Sequence, residues 1–110
     1  SMKFLSTVLK TTQAKLLLAH DGYEAIDVVK EQGDVDLILM DIQLPELNGN
    51  EVTSRIRKFN KTIPIIAQTA FTSTEEKEKC FEAGCIDYLA KPIKEKQLRD
   101  CIQKNLLKYS

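Results

Sequence analysis

Residues 35–41 read Val-Asp-Leu-Ile-Leu-Met-Asp, a run that is apolar almost throughout and then stops on a carboxylate. A strand with one wet face alternates apolar and polar side chains. A strand apolar at nearly every position suits a parallel sheet covered on both faces. That requirement governs the rest of the chain, because parallel strands need crossover helices between them.

The crossovers are present. Phe4, Leu5, Val8 and Leu9 recur at helical spacing, so the chain is expected to open inside a helix from Lys3. Residues 15–19 (KLLLA) form a short buried strand, Asp21-Gly22 a turn, and Ala25, Ile26 and Val29 a helix ending near Gly33. After residues 35–40 comes a loop with Pro45 and the turn pair Asn48-Gly49, then a helix marked by Val52, Ile56 and Phe59. Residues 63–67 (IPIIA) give the next strand, with Pro64 near its start where a missing N–H is tolerated. Ser73 and Glu76 form a capping box for a helix in which Glu75 and Lys79 pair at i, i+4. That helix offers mainly Cys80, Phe81 and Ala83 to the core, so weak anchoring is expected. Residues 87–90 are a short strand, and Leu98, Ile102 and Leu106, with Cys101 beside them, define a last amphipathic helix.

The order is a helix and then four strand–helix units, which predicts a doubly wound α/β sheet with helices on both faces. Function in such sheets sits in the crevice beyond the carboxyl ends of the strands. Those ends carry Asp41, Thr69 and Lys91: a carboxylate, a hydroxyl and an ammonium on one rim, in consecutive strands.

With 110 residues, the chain suits one domain, assigned to residues 3–110; Ser1-Met2 read as a tag-cleavage remnant and a start or cloning junction. Sixteen basic residues balance sixteen acidic ones, which gives no argument for nucleic acid. No apolar run approaches the roughly 20 residues of a membrane span, and no signal peptide is visible. Cys80, Cys85 and Cys101 are odd in number and lack CxxC spacing, so free thiols in a reducing cytoplasm are expected rather than disulfides or zinc. The single histidine, His20, has no His or Cys neighbour and is given no role.

A strand-end carboxylate can act as a nucleophile and form an acyl phosphate. The incoming group is itself anionic, so the reaction needs a cation, a fixed positive charge and hydrogen-bond donors. Lys91 supplies the charge and Thr69 a donor. Taken singly, each has a plainer reading: a turn or cap carboxylate, a β-branched filler and a solvated lysine.

Together the motifs carry a resemblance. LILMDIQLPELNG resembles the phosphoacceptor segment of response-regulator receiver domains, PIIAQTA their hydroxyl-bearing strand, CIDYLAKP their strand with the switch aromatic and the Lys-Pro pair, and AHDGYEAID their second strand and helix. The likeness runs from residue 3 to about residue 107. It implies a flavodoxin-like fold with strand order 2-1-3-4-5 and a two-component phosphorelay role. A histidine kinase or phosphotransfer protein would donate a phosphoryl group to Asp41. Magnesium would be held by Asp41, the backbone carbonyl of Gln43 and an acidic pair. Thr69 and Tyr88 would shift together as a switch and remodel an interaction face formed by the fourth helix, last strand and last helix; Lys91 would contact the phosphoryl group, and Lys91-Pro92 would often be cis. Gln43 and Phe71 would tune the lifetime of the phosphoryl group.

The pattern departs from the family at one place. The family's first strand, which ends in two acidic residues, has no counterpart here, and no Asp or Glu occurs before Asp21. That strand would lie centrally, between residues 15–19 and 35–40. Those two strands could pair directly, a partner chain could insert or swap a strand to give a homodimer or other oligomer, or the segment could lie outside this sequence; a swapped oligomer or an additional segment is favoured. Magnesium affinity and phosphorylation of this chain are expected to be weak, with Asp21 and Glu46 as rim candidates to replace the pair. The alternative is a pseudo-receiver that works as an interaction module without phosphoryl chemistry. A hydrolase with an aspartyl nucleophile is disfavoured, because Gln43 stands where such enzymes carry their second carboxylate. The chain is therefore expected not to be an enzyme in its own right.

Overall fold

A computed structural model describes residues 3–4, 16–19, 21–32, 35–43, 47–70 and 73–109. Its elements are β1 (Lys3–Phe4), β2 (Leu16–Ala19), α1 (Gly22–Gln32), β3 (Leu37–Asp41), α2 (Gly49–Arg57), β4 (Ile65–Thr69), α3 (Thr74–Ala83), β5 (Asp87–Ala90) and α4 (Glu95–Tyr109). Strands β2 to β5 form four parallel strands in sequence order, each followed by its helix, as the alternation predicts. Within this chain β2 and β3 pair directly, Leu16 opposite Leu37 through Ala19 opposite Met40. Of the three arrangements open to these strands, direct pairing is the one seen.

The opening helix needs correcting. Lys3–Phe4 is a strand, antiparallel to β2 with Lys3 opposite Leu18, so it covers backbone groups that the edge of β2 would otherwise leave open. Leu5, Val8 and Leu9 lie outside the described residues.

Side-chain alternation divides the sheet into two apolar layers. Leu17, Ala19, Ile38, Met40, Ile65 and Ala67 face α1, α2 and α3, meeting Ala25, Val29, Val52, Ile56 and Cys80. Leu16, Leu37, Leu39 and Ile66 face α4, meeting Cys101 and Ile102. Most of these side chains are fully buried, and each large one contributes roughly 1.5–3 kcal/mol.

Three expected packing details change. Phe59 falls beyond the end of α2 and is 41% exposed, with Lys30 over its ring. Phe81 is 46% exposed, and Cys80 is the buried residue of α3. Lys79 pairs with Glu76 one turn back at 3.5 Å, not with Glu75, because i, i+3 brings those two side chains to the same side. Ser73 caps α3 as expected, accepting a bond from the backbone N–H of Glu76.

Candidate functional site

Asp41 is the last residue of β3. Strand β4 fixes it on one side, with Asp41 opposite Gln68 and the Ile42 N–H donating to the Gln68 carbonyl at 3.0 Å. The carboxylate then turns back on its own loop: the Gln43 N–H donates to Oδ1 at 2.9 Å. This is the short polar bridge by which Asp starts turns.

Lys91, just past β5 on the other side of β4, is held by β4 in the same way. Its N–H donates to the Thr69 carbonyl at 2.9 Å, and the Lys91-Pro92 peptide is cis. So fixed, Lys91 places Nζ 2.8 Å from Oδ1 of Asp41. The side chains are 32% and 20% exposed, so the pair is only partly shielded from water.

Thr69 ends β4, the strand between those of Asp41 and Lys91, and is buried. Tyr88 stands on the same sheet face one strand away, since Ala67 is opposite Tyr88 and Thr69 opposite Ala90. Its ring is half-buried under α3. Asp41 and Lys91 are thus brought into contact, Thr69 sits between their strands, and Tyr88 lies to the side. Gln43 contributes through its backbone N–H. Phe71, Glu46, Pro45 and His20 lie outside the described residues.

Asp21, a rim candidate for the acidic pair, is engaged elsewhere. Its Oδ1 accepts the N–H groups of Tyr23 at 3.0 Å and Glu24 at 3.2 Å, which makes it the cap of α1. Among the described residues no group of three His, Cys, Asp or Glu side chains stands close enough to hold a metal ion. The described side chains on this rim therefore do not by themselves fit magnesium, which is normally held through carboxylates in an octahedral oxygen shell.

Two features escape a reading of the sequence. Asn48 is not one half of a turn but the cap of α2, accepting from the Asn50 N–H at 2.7 Å, and it brings Gly49 against the end of β3. A Cβ on Gly49 would lie 2.5 Å from the carbonyl oxygen of Asp41. The other is a polar cluster at the far end of β5. Asp87 accepts bonds from the Tyr88 N–H, from Asn105 Nδ2 at 3.2 Å and from Cys101 Sγ at 3.4 Å, with Lys104 Nζ at 3.6 Å. Burial works to raise the Asp87 pKa, but these donors and the lysine outweigh it and hold the carboxyl below its ordinary value. One signal was present: Asn105 interrupts the apolar stripe of Leu98, Cys101 and Ile102.

Comparison with known proteins agrees with this fold. The family model described as response regulator receiver domain matches residues 1–103. Hybrid signal transduction histidine kinase I of Dictyostelium discoideum is 38% identical over 117 residues, covering 99% of this chain and 7% of that protein. Sensor protein GacS of Pseudomonas syringae pv. syringae is 33% identical over 109 residues, covering 94% of this chain and 12% of its own length. The chain thus spans a small part of these kinases. It spans most of the polar-differentiation response regulator DivK of Brucella anthropi: 38% identity over 95 residues, 84% of this chain and 76% of that one. Among solved structures, the receiver domain of a Pseudomonas aeruginosa PAO1 sensor histidine kinase, with a magnesium ion coordinated in its active-site cleft, matches with TM-score 0.76 and 36% identity over 93% of this chain and 84% of its own.

Proposed function

The chain belongs to the response regulator receiver domain family, and from that premise we propose that it accepts a phosphoryl group on Asp41. The observation that carries the proposal is the 2.8 Å contact between Lys91 Nζ and Asp41 Oδ1 at the carboxyl edge of the sheet. Among the described residues the two donors to this carboxylate, Lys91 and the Gln43 N–H, both bind Oδ1. Oδ2 is then the oxygen with a lone pair to offer. In the reaction, Oδ2 attacks the phosphorus of a phosphohistidine, the P–N bond breaks, and the imidazole leaves with that electron pair. The Lys91 ammonium offsets the charge gathering on the phosphoryl oxygens. The Thr69 hydroxyl supplies a donor as the group arrives, and Tyr88 follows Thr69 on the same sheet face, with Gln43 and Phe71 setting how long the phosphoryl group lasts.

The donor is a histidine kinase or a phosphotransfer protein, in keeping with relatives that are hybrid kinases and response regulators. The role is that of a cytoplasmic signalling domain rather than an enzyme with its own substrate; no helix among the described residues is long and apolar enough to cross a membrane. Magnesium would draw on Asp41 and the Gln43 carbonyl, with its remaining ligands from outside the described rim, either from further chain or from a partner in a strand-exchanged dimer.

A second reading, a pseudo-receiver that binds partners without taking phosphate, is favoured by one observation: Asp21 caps α1 and does not join the rim. Acetyl phosphate with magnesium, followed by intact mass, separates the two. One added phosphoryl group, absent in Asp41→Asn, supports the phosphoacceptor. A folded chain that stays unlabelled, even when extended ahead of Lys3 by a strand ending in two acidic residues, supports the pseudo-receiver.

A further inference from the structure

Asn48 is followed by Gly49, a pairing that the other asparagines do not share: Asn50 precedes Glu51, Asn60 precedes Lys61 and Asn105 precedes Leu106. The residue after an asparagine can attack the side-chain amide through its own backbone nitrogen, and glycine has no Cβ to hinder that approach. Asn48 is exposed, so water and hydroxide reach its amide, while Gly49 is buried. The fold ties down the groups that this reaction needs. The Gly49 N–H donates to the Ile42 carbonyl at 3.1 Å. Oδ1 of Asn48 accepts from the Asn50 N–H at 2.7 Å, and the Asn48 carbonyl accepts from the Val52 N–H at 3.1 Å.

We propose that Asn48 is a modification site, one that deamidates without an enzyme, and that the hydrogen bond from Gly49 to Ile42 gates the reaction. When that bond opens, hydroxide takes the Gly49 amide proton and the freed nitrogen attacks Cγ of Asn48. The N–Cγ bond forms, the Cγ–Nδ2 bond breaks, and Nδ2 leaves as ammonia after taking a proton from water. A five-membered succinimide remains, and water opens it on one of two sides. Breaking the bond to Cγ restores the main chain and leaves an aspartate. That side chain still caps α2 and adds negative charge at the helix N-terminus, where charge of this sign is favourable. Breaking the bond to the backbone carbonyl carbon gives isoaspartate: the main chain now runs through Cβ and Cγ, and the old carbonyl becomes a free carboxylate. Gly49 then hangs one bond further from Cα of residue 48, and the three hydrogen bonds above lose their geometry. Gly49 sits so close to the end of β3 that a Cβ there would fall 2.5 Å from the Asp41 carbonyl oxygen. Isoaspartate therefore shifts the support of Asp41 and slows phosphoryl transfer. This last step rests on the phosphoacceptor reading; the modification does not.

The test uses the full chain, first without any phosphate donor, at mildly alkaline pH and with peptide mapping by mass. Unfolded in urea, the chain should deamidate at Asn48 well before Asn50, Asn60 or Asn105; no preference for Asn48 there would remove the site. In the folded chain Asn48 should react at least about tenfold more slowly, because only the locally open fraction reacts. Small additions of urea should speed deamidation of Asn48 and hydrogen exchange of the Gly49 amide by the same factor, since both need the bond to Ile42 broken. Equal rates in the folded and unfolded chain, or faster deamidation with Gly49 exchange unmoved, would overturn the gate. The isoaspartate form, separated by chromatography, should melt below the parent, whereas Asn48→Asp should not. Isoaspartate with the parent's thermal midpoint would sink its structural consequence. Acetyl phosphate and magnesium are then added to the parent and to the isoaspartate form. A parent that does not label at Asp41 removes the phosphoacceptor reading and leaves the earlier results standing. Where the parent labels, the isoaspartate form should label on the order of tenfold more slowly, the scale of a small misplacement of a reacting group; equal labelling rates would overturn the link to Asp41.

Discussion

Lys91 and Asp41 are fifty positions apart in the chain, yet their side chains meet at 2.8 Å. Neither residue is placed by its own loop. Asp41 is fixed by the pairing of β3 with Gln68, and Lys91 by its N–H on Thr69, so β4 sets the distance between them. The contact is a property of strand register, and a slip of one residue would turn one partner to the other face.

Removing the ammonium while keeping the stem, as in Lys91→Met, should separate chemistry from folding. The pair is partly solvated, so its loss should cost stability less than about 1 kcal/mol. The charge that builds on a transferring phosphoryl group is a harsher demand, and labelling of Asp41 by acetyl phosphate should slow on the order of 100-fold. Urea midpoints and intact-mass time courses measured on one preparation would check both halves. A variant that labels at the parent rate would remove Lys91 from the chemistry.

Gly49→Ala should damage the site through the backbone. The added Cβ would fall 2.5 Å from the Asp41 carbonyl oxygen and 2.8 Å from Ile42 Cα, and backbone has little room to retreat. It would also strain the 3.1 Å bond from the Gly49 N–H to the Ile42 carbonyl. Overpacking of this kind costs about 1–3 kcal/mol. Gly22→Ala makes a useful contrast, since its Cβ would meet a side-chain methyl of Val52 rather than backbone. If Gly49→Ala keeps both its thermal midpoint and its labelling rate, the close approach has no consequence.

How far the sequence foretold this site depends on which interactions made it. The strand Leu37–Asp41 and the parallel run from β3 to β5 could be read ahead, because apolar runs and short connections leave a parallel sheet few alternatives, whereas the direct pairing of β2 with β3 was one of three arrangements and not the favoured one. The meeting of Asp41 with Lys91 could be read as a shared rim, though not as a contact. The N-terminal stretch could not be read. Phe4, Leu5, Val8 and Leu9 carry helical spacing, but Lys3–Phe4 pairs with β2, since an open strand edge outweighs local periodicity at the end of a chain. Phe59 and Phe81 also misled, because a large aromatic at core spacing is satisfied equally by a cation or another ring at the surface. Asp87 and Asn105 went unread because a polar pair across two elements leaves no periodic trace.

The three thiols should be inert in the native chain. Burial pushes Cys85 and Cys101 up to about 12, with the Asp87 charge adding to the effect at Cys101. Cys80 is raised by burial and by the charge of Glu76. Thiolate is the reactive form, so iodoacetamide at pH 8 should modify these residues only as fast as the chain opens. Mass spectrometry should show none of them modified under conditions that alkylate free cysteine within minutes, and all three in 8 M urea (roughly the top of the usual denaturant range). Fast native modification of Cys101 would mean that α4 lifts from β5 on its own.

Asp87 gives the protein an acid-sensitive joint between β5 and α4. Burial opposes its charge, but Asn105, the Tyr88 N–H, Cys101 and Lys104 together hold its carboxyl below the ordinary 3.8. A carboxyl whose folded pKa is depressed contributes stability above its unfolded pKa and loses it as pH falls through the folded value. The contribution should therefore be complete at neutral pH, begin to fade near pH 4 and be gone once Asp87 is protonated in the folded chain. Asp87→Asn removes the charge at every pH and leaves Cys101 and Asn105 facing a neutral amide. At pH 7 it should cost about 1–3 kcal/mol, the usual penalty for disrupting a partly buried charged hydrogen-bond acceptor. Below the folded pKa both chains carry a neutral side chain there, so the difference in urea midpoint should shrink toward zero. Measuring both midpoints at pH 7 and again near pH 3 gives the answer. A gap that stays constant across that range would mean that Asp87 acts through shape alone and that its charge does not hold α4 to the sheet.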